Sequence, residues 1–342
     1  DPSYGHFSND RSLTPEQTQT LVHWIEAGAP RGEGPDPLAA IDHNWGKWAV
    51  AEPELGDPDY VIDIPAAEIP ATGVVDYKYH YVKNTVGKDV WVKAAEILPG
   101  DRGVLHHVIT TYGTVETEGR RKGRLKREGQ AGLRGYVPGM TSQMFPQGTG
   151  VYLPADATIE FQVHYTTNGK ATVDESQLGI WIYEEPPEHQ VFSMILLNGR
   201  IKIPPYAKAH KEFAEQVIPK DALVYNLLPH AHFRGKASEF SVVYPDGSEE
   251  VLLSVPNYDF NWQTTYELAE PKLIPAGSKI VHTTWWDNSA QNPANPDPSI
   301  EVTWGEQSWE EMLFGAILMR FLDEEEVAAL KAEQARELAS TD

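Results

Sequence analysis

No cysteine occurs among the 342 residues. That removes disulfides, thiolate metal sites, a cysteine nucleophile and covalent haem attachment within these residues. Any metal here must be held by His, Met or carboxylate. Basic residues are scarce too: 28 Lys and Arg stand against 50 Asp and Glu, for a formal charge of −22. Such a balance argues against nucleic acid or an anionic membrane face as the main partner. No apolar run approaches the roughly 20 residues that span a bilayer, so no membrane span is expected. The chain begins at Asp1 with neither Met nor signal peptide, and we expect a removed leader or a longer parent chain.

What is present is a globular composition, 41% hydrophobic with 10 Trp, 15 Tyr and 10 Phe, enough for two ordinary domains. Residues 14–28, TPEQTQTLVHWIEAG, carry the marks of one helix. Thr14 is the N-cap, Pro15 the first helical residue, Gln17 completes a capping box and Gly28 terminates it. Leu21, Val22 and Ile25 are its expected buried stripe. A Pro/Gly-rich linker follows.

From about Asp42 the texture changes to short runs rich in Val, Ile, Tyr, Trp and Thr, such as YKYHYV, DVWVKAAEI, TIEFQVHYTT and LGIWIYEE, divided by Gly, Pro, Asn and Asp. These read as strands. EEPPEHQ at 184–190 breaks the pattern, and strands resume after it, including a hairpin turning on Asp246 and Gly247. No βαβ alternation occurs. The expectation is an all-β chain of two antiparallel β-sandwiches of jelly-roll type, residues 42–187 and 188–322, with short helices at both termini. Residues 323–342 read as an exposed helix, acidic in its first turn. One segment, 120–134, gathers seven basic residues; it is either a solvated excursion between strands or a docking surface for an acidic partner.

Metal-capable side chains concentrate in four places: VLHHVI with His106 and His107, FQVHYTTNG with His164, LPHAHFRGK with His230 and His232, and WEEMLFG with Met312. Strand side chains alternate faces, so His230 and His232 point the same way and can converge on one ion. His106 and His107 would point oppositely, and binding one ion together requires a bulged or irregular strand. A single strand histidine is more often a hydrogen-bonded core or surface residue, and Met312 alone is equally readable as core. Five histidines in three such motifs are harder to dismiss.

In type and order these motifs resemble the copper type II, ascorbate-dependent monooxygenases, the family of peptidylglycine alpha-hydroxylating and dopamine beta-monooxygenases. That family carries an HH pair and an HY motif in one sandwich, then H-x-H-x-x-G-K and E-M in the next. Here they stand as His106-His107, His164-Tyr165, His230 to Lys236 and Glu311-Met312, with 57 residues from His107 to His164, 66 on to His230, and 80 from His232 to Met312. The likeness runs from about residue 45 to 322. It implies two coppers per chain, an electron-transfer ion on His106, His107 and His164 and an oxygen-activating ion on His230, His232 and Met312, the latter three being the catalytic set. The donors make chemical sense, since imidazoles suit a copper that cycles and a thioether favours Cu(I). No HExxH argues for a zinc hydrolase.

Departures are also plain. Leu228 stands where the peptide enzyme has a carboxylate-binding Arg, and Phe314 and Ala316 stand where it has Asn and Tyr. YDFNWQ (258–263), DNSAQNPANPDP (287–298) and WGEQSWEEM (304–312) look instead like bacterial relatives of unknown substrate. Residues 4–32 resemble the last helix of a class I cytochrome c, so residues 1–41 read as the remnant of such a domain plus linker. Any haem would then sit only in a missing upstream domain. The resulting expectation is a copper monooxygenase acting on a C–H bond of an unidentified small molecule with O₂, fed by an ascorbate-like reductant or a cytochrome c haem, in the periplasm or outside the cell. The alternative is a non-catalytic copper-binding or electron-transfer protein of the same fold; a sandwich with incidental histidines is the third reading.

Overall fold

The computed structural model describes residues 3–40, 47–48, 55–116, 125–127, 132–133, 135–137 and 144–340. Ten of the fifteen residues of the basic segment 120–134 lie outside the described residues, as does the start of the first expected sandwich at residues 42–46.

The first half supplies β1 (Tyr60–Asp63), β2 (Ala67–Ile69), β3 (Lys78–Lys83), β4 (Val90–Leu98), β5 (Leu105–Val115), β6 (Leu125–Arg127), β7 (Thr149–Leu153), β8 (Thr158–Tyr165), β9 (Thr172–Asp174), β10 (Gln177–Ile182) and β11 (His189–Gln190). The second supplies β12 (Phe192–Leu197), β13 (Lys202–Ile203), β14 (His210–Val217), β15 (Ala222–His230), β16 (Gly235–Val243), β17 (Glu249–Val255), β18 (Tyr266–Ile274), β19 (Lys279–Trp286), β20 (Val302–Thr303) and β21 (Phe314–Phe321). Two helices, α1 (Pro15–Glu26) and α2 (Glu324–Ser340), flank them. The chain is all-β.

In the first half the sheet β1-β10-β4-β7-β11 faces the sheet β3-β8-β5-β6, and in the second β12-β21-β15-β18 faces β14-β19-β16-β17. When the eight main strands of each half are counted in chain order, both halves have their first, eighth, third and sixth strands in one sheet and their second, seventh, fourth and fifth in the other. This is the double Greek key of a jelly roll, built twice. Apart from the short parallel pair β7–β11, all ladders within these sheets are antiparallel.

The cause is period-2 burial. On β8, Ile159, Phe161, Val163 and Tyr165 enter the first core, which leaves Glu160, Gln162 and His164 on the other face. On β21, Ile317 and Met319 enter the second core, whereas Leu318, on the opposite face, packs into the first. The hairpin between β16 and β17 turns at Gly247, whose φ of 86° lies in the left-handed region that glycine tolerates.

The helix at 15–26 forms with its Thr14 N-cap and reciprocal Gln17 capping box. Its expected buried stripe does not: Leu21, Val22 and Ile25 are 44%, 45% and 63% exposed. Amphipathic spacing specifies a helix face, but burial needs a neighbour, and no residue of this helix is buried. Upstream of it, residues 6–9 run beside β18, with Ser8 N–H donating to Glu267 C=O and Ala269 N–H to His6 C=O. The C-terminal helix is acidic in its first turn but not wholly exposed, because Val327 packs on Leu223 and Leu322 and Glu326 accepts from Arg320.

Candidate metal centre

His106 and His107 lie near the start of β5, paired with β8. Leu105 and Val108 both enter the core, so two residues, rather than one, separate consecutive inward positions. The ladder registers this as a bulge between Leu105 and His107. The extra residue places both histidines on the outer face, where His107 opposes His164.

One potential ligand atom from each of these three residues falls within 4.8 Å of the others. The Nδ1 atoms of His106 and His107 are 3.3 Å apart, and metal–imidazole bonds of about 2.0–2.1 Å meeting at a tetrahedral angle separate two nitrogens by about 3.3 Å. Nδ1 of His164 and Nε2 of His107 are buried and have no hydrogen-bond partner. Burial holds His106 below the usual imidazole range. Burial, then the neighbouring His164 and His106, push His107 far below it, and burial followed by His106 brings His164 to about 4. All three are therefore neutral at neutral pH, the form that ligates. Neutral rings, the converging Nδ1 atoms of His106 and His107, and the orphaned Nδ1 of His164 fit a three-imidazole metal site. Tyr77, stacked on His164 with centroids 4.5 Å apart and planes at 8°, backs it.

The second pair sits where β15 ends. The rings of His230 and His232 are 5.1 Å apart and nearly perpendicular. Nδ1 of His230 is 2.6 Å from Oε1 of Gln263, and Nδ1 of His232 is 3.3 Å from the Glu310 carbonyl. Both partners are acceptors only, so both Nδ1 atoms carry the proton and each Nε2 keeps its lone pair. Burial lowers His230 to about 4 and His232 to about 3, with His230 adding to the effect on His232. These rings too are neutral.

The backbone of Met312 is brought near this place by Glu311. The β15–β21 ladder ends with Leu228 opposite Ala316 and His230 opposite Phe314, and just beyond it the backbone N–H groups of His232 and Met312 both donate to Glu311 Oε2. Glu311 locks the arrangement. Its buried carboxylate accepts from the backbone N–H of His232 at 2.9 Å and of Arg234 at 2.6 Å, and from Trp286 Nε1–H at 2.9 Å. Burial pushes this carboxyl up to about 7 against the pull of those donors and of Arg234.

The two groups of histidines meet at the boundary between the halves. Phe260 stacks on His106 at 5.2 Å and meets His232 edge-on at 6.1 Å. Tyr79 O–H donates to Glu306 at 2.6 Å, tying β3 to the 304–312 segment. On the outer face beside His230, Leu228, Phe314 and Ala316 form an apolar wall. Tyr77, Phe260, Gln263 and the clamping role of Glu311 went unread in the sequence. The 258–263 and 304–312 motifs were the available signal, without a role attached.

No family model matches this chain, and no curated protein matches it. Solved structures with similar strand patterns include the stem and receptor-binding domain of spike protein P1 from bacteriophage PM2, at 12% identity over 74% of this chain and 100% of that one, with a TM-score of 0.18. The infectious bursal disease virus VP2 subviral particle follows at 9% identity, 81% and 75% coverage and a TM-score of 0.22. The PM2 major capsid protein P2 gives 10%, 72%, 99% and 0.26. Likenesses this slight carry no argument about function.

No helix among the described residues is long and apolar enough to cross a membrane.

Proposed function

We propose that this chain is a dicopper monooxygenase-like oxidoreductase that hydroxylates a C–H bond of a small, largely apolar molecule, using O₂ and an external electron donor. The observation that carries the reading is the meeting of two groups of neutral imidazoles, one of three and one of two, with the Met312 backbone held to the same Glu311 carboxylate as His232 of the second. His106, His107 and His164 would hold one copper; His230, His232 and Met312 would hold the other. When bound, the second copper supplies O₂ activation and the first supplies an electron.

Around them the protein's own residues have definable tasks. Nδ1–H of His230 and of His232 are engaged by Gln263 and Glu310, which leaves the Nε2 lone pair of each as the one that would hold a metal. Glu311 holds the His232 and Arg234 backbone and so keeps the second imidazole and Met312 together. Leu228, Phe314 and Ala316 favour an apolar reacting end, because an apolar wall cannot solvate a carboxylate. Phe260 lies between the two groups, its ring against His106 and His232.

The overall reaction converts C–H and O₂ to C–OH and water, consuming two electrons and two protons. An ascorbate-like reductant or a c-type haem would provide the electrons, in the periplasm or beyond. Copper analysis with O₂ uptake tests the reading. Two coppers per chain, one lost on His107→Ala and the other on His232→Ala, and O₂ uptake that requires both reductant and an apolar substrate, are expected. Failure to bind copper would overturn it, and copper binding without any substrate-dependent uptake would favour an electron-transfer protein instead.

A further inference from the structure

The Tyr258–Gln263 segment has no part in the two donor sets, yet it is built against the second one at three points. Tyr258 O–H donates to the Ala231 carbonyl at 2.8 Å and its oxygen accepts from the Ala231 N–H at 3.1 Å, so one phenol holds the single residue between His230 and His232. Its ring lies so close to the backbone that a Cβ at Gly235 would come within 2.7 Å of it. Gln263 Nε2 donates to the Phe260 carbonyl at 2.9 Å. A carbonyl accepts only, so the amide orientation is fixed and the opposite end, Oε1, must face His230.

Resting on the copper reading above, we propose that Gln263 is a positioning residue for the second metal site. It fixes the His230 proton on Nδ1 and presents Nε2 as the ligand atom. The chain of contacts runs from the Phe260 carbonyl through the Gln263 amide to the His230 Nδ1–H, and every donor in it has one acceptor. Flipping the ring of His230 would put Cδ2–H where Nδ1–H stands and leave Oε1 without its donor. Hydrogen bonds to the outer nitrogen of a ligating imidazole set its orientation and raise its basicity. His232 is served by a backbone carbonyl, which no substitution removes, whereas His230 depends on a side chain. Within the pair, therefore, His230 is the ligand whose donor strength the sequence can tune.

The test uses the full chain loaded with Cu(I), with competition against a Cu(I) chelator to measure affinity and carbon monoxide as an infrared probe of how electron-rich the ion is. Gln263→Leu should lower Cu(I) affinity at the second site by about 10- to 100-fold, leave the three-histidine site unchanged and raise the C–O stretching frequency. Gln263→Glu keeps the acceptor and adds charge, so it should restore affinity and move the C–O stretch below that of the unmodified protein. A residue with only a packing role would leave that frequency unmoved. Unchanged affinity and frequency in Gln263→Leu would overturn the assignment. Should that variant fail to fold, an unshifted C–O stretch in Gln263→Glu would do the same. If the unmodified chain takes up no copper that His230→Ala removes, the copper reading itself falls and this inference with it. Two bound coppers with indifferent Gln263 variants sink the inference alone.

Discussion

Nδ1 of His106 lies 3.3 Å from Nδ1 of His107, although the two residues are adjacent on one strand. A regular strand would send them to opposite faces. The bulge between Leu105 and His107 removes that obstacle, and its cost is met by the core contacts of Leu105 and Val108 on either side. The first prediction is therefore about the backbone as much as the rings. Deleting His106 should restore regular alternation and abolish metal binding at this site, as His107→Ala does, while copper at His230 and His232 persists. Metal stoichiometry after dialysis reads both.

Glu311 joins three donors from three places, the backbone of His232, the backbone of Arg234 and the indole of Trp286. Glu311→Gln keeps the shape but turns an N–H₂ toward N–H groups, leaving a buried donor unpaired, at about 1–3 kcal/mol. A lower urea midpoint with weakened Cu(I) binding at the second site, and unaltered binding at the first, is the expected pattern.

These two sites show how far sequence reasoning reaches. The jelly-roll halves are legible because period-2 runs and turn residues are local signals, and the hairpin at Asp246–Gly247 stands where its turn chemistry puts it. The requirement for an irregular strand at His106-His107 follows from geometry alone. The buried stripe of α1 was not deducible, since Leu21, Val22 and Ile25 state a face without stating a neighbour. Phe260 and Gln263 were equally out of reach. They touch histidines 154 and 33 positions away, and no local pattern reports a contact that only the meeting of two sheets creates.

His282 supplies a prediction on pH. It is buried in the second core, stacked on Phe240 at 4.3 Å, with Nε2 against Ser238 Oγ and Gly315 beneath Nδ1. Burial, with His230 as a further positive neighbour when protonated, lowers it to about 3. Because the folded value lies below the unfolded value near 6.5, the neutral form is the one that folding favours. Its contribution to stability is complete above about pH 6.5 and is lost progressively as pH falls towards 3. Urea unfolding of the metal-free chain between pH 7.5 and 4.5 should show this loss, and His282→Leu should flatten the slope by up to about 1.4 kcal/mol per pH unit.

Leu228 and Ala316 face each other one step from the His230–Phe314 pair. Neither can offer a charge or a hydrogen bond to a polar ligand end. Substrates with a carboxylate near the reacting carbon should be turned over poorly. Leu228→Arg should shift the ratio of kcat/KM between a carboxylate-bearing molecule and its neutral analogue by at least about 10-fold, or 1.4 kcal/mol. Efficient turnover of a glycine-extended peptide by the unmodified chain would refute the apolar assignment.

Met312 is the donor on which the distinction between the two metal positions depends. Its backbone and that of His232 both donate to the adjoining Glu311 carboxylate, just beyond the end of the β15–β21 ladder. A thioether is a soft, neutral donor that stabilises Cu(I) more than Cu(II). The imidazoles of His230 and His232 alone would bind copper with a weaker preference for the reduced state. Met312→Ala should therefore leave the three-histidine site loaded, lower Cu(I) affinity at the other and abolish reductant-dependent oxygenation. Met312→His, which restores a third donor but a harder one, should recover copper occupancy without recovering that oxygenation. If Met312→Ala retained two tightly held Cu(I) per chain and unchanged O₂ chemistry, Met312 would be a packing residue and the second site would rest on its two histidines alone.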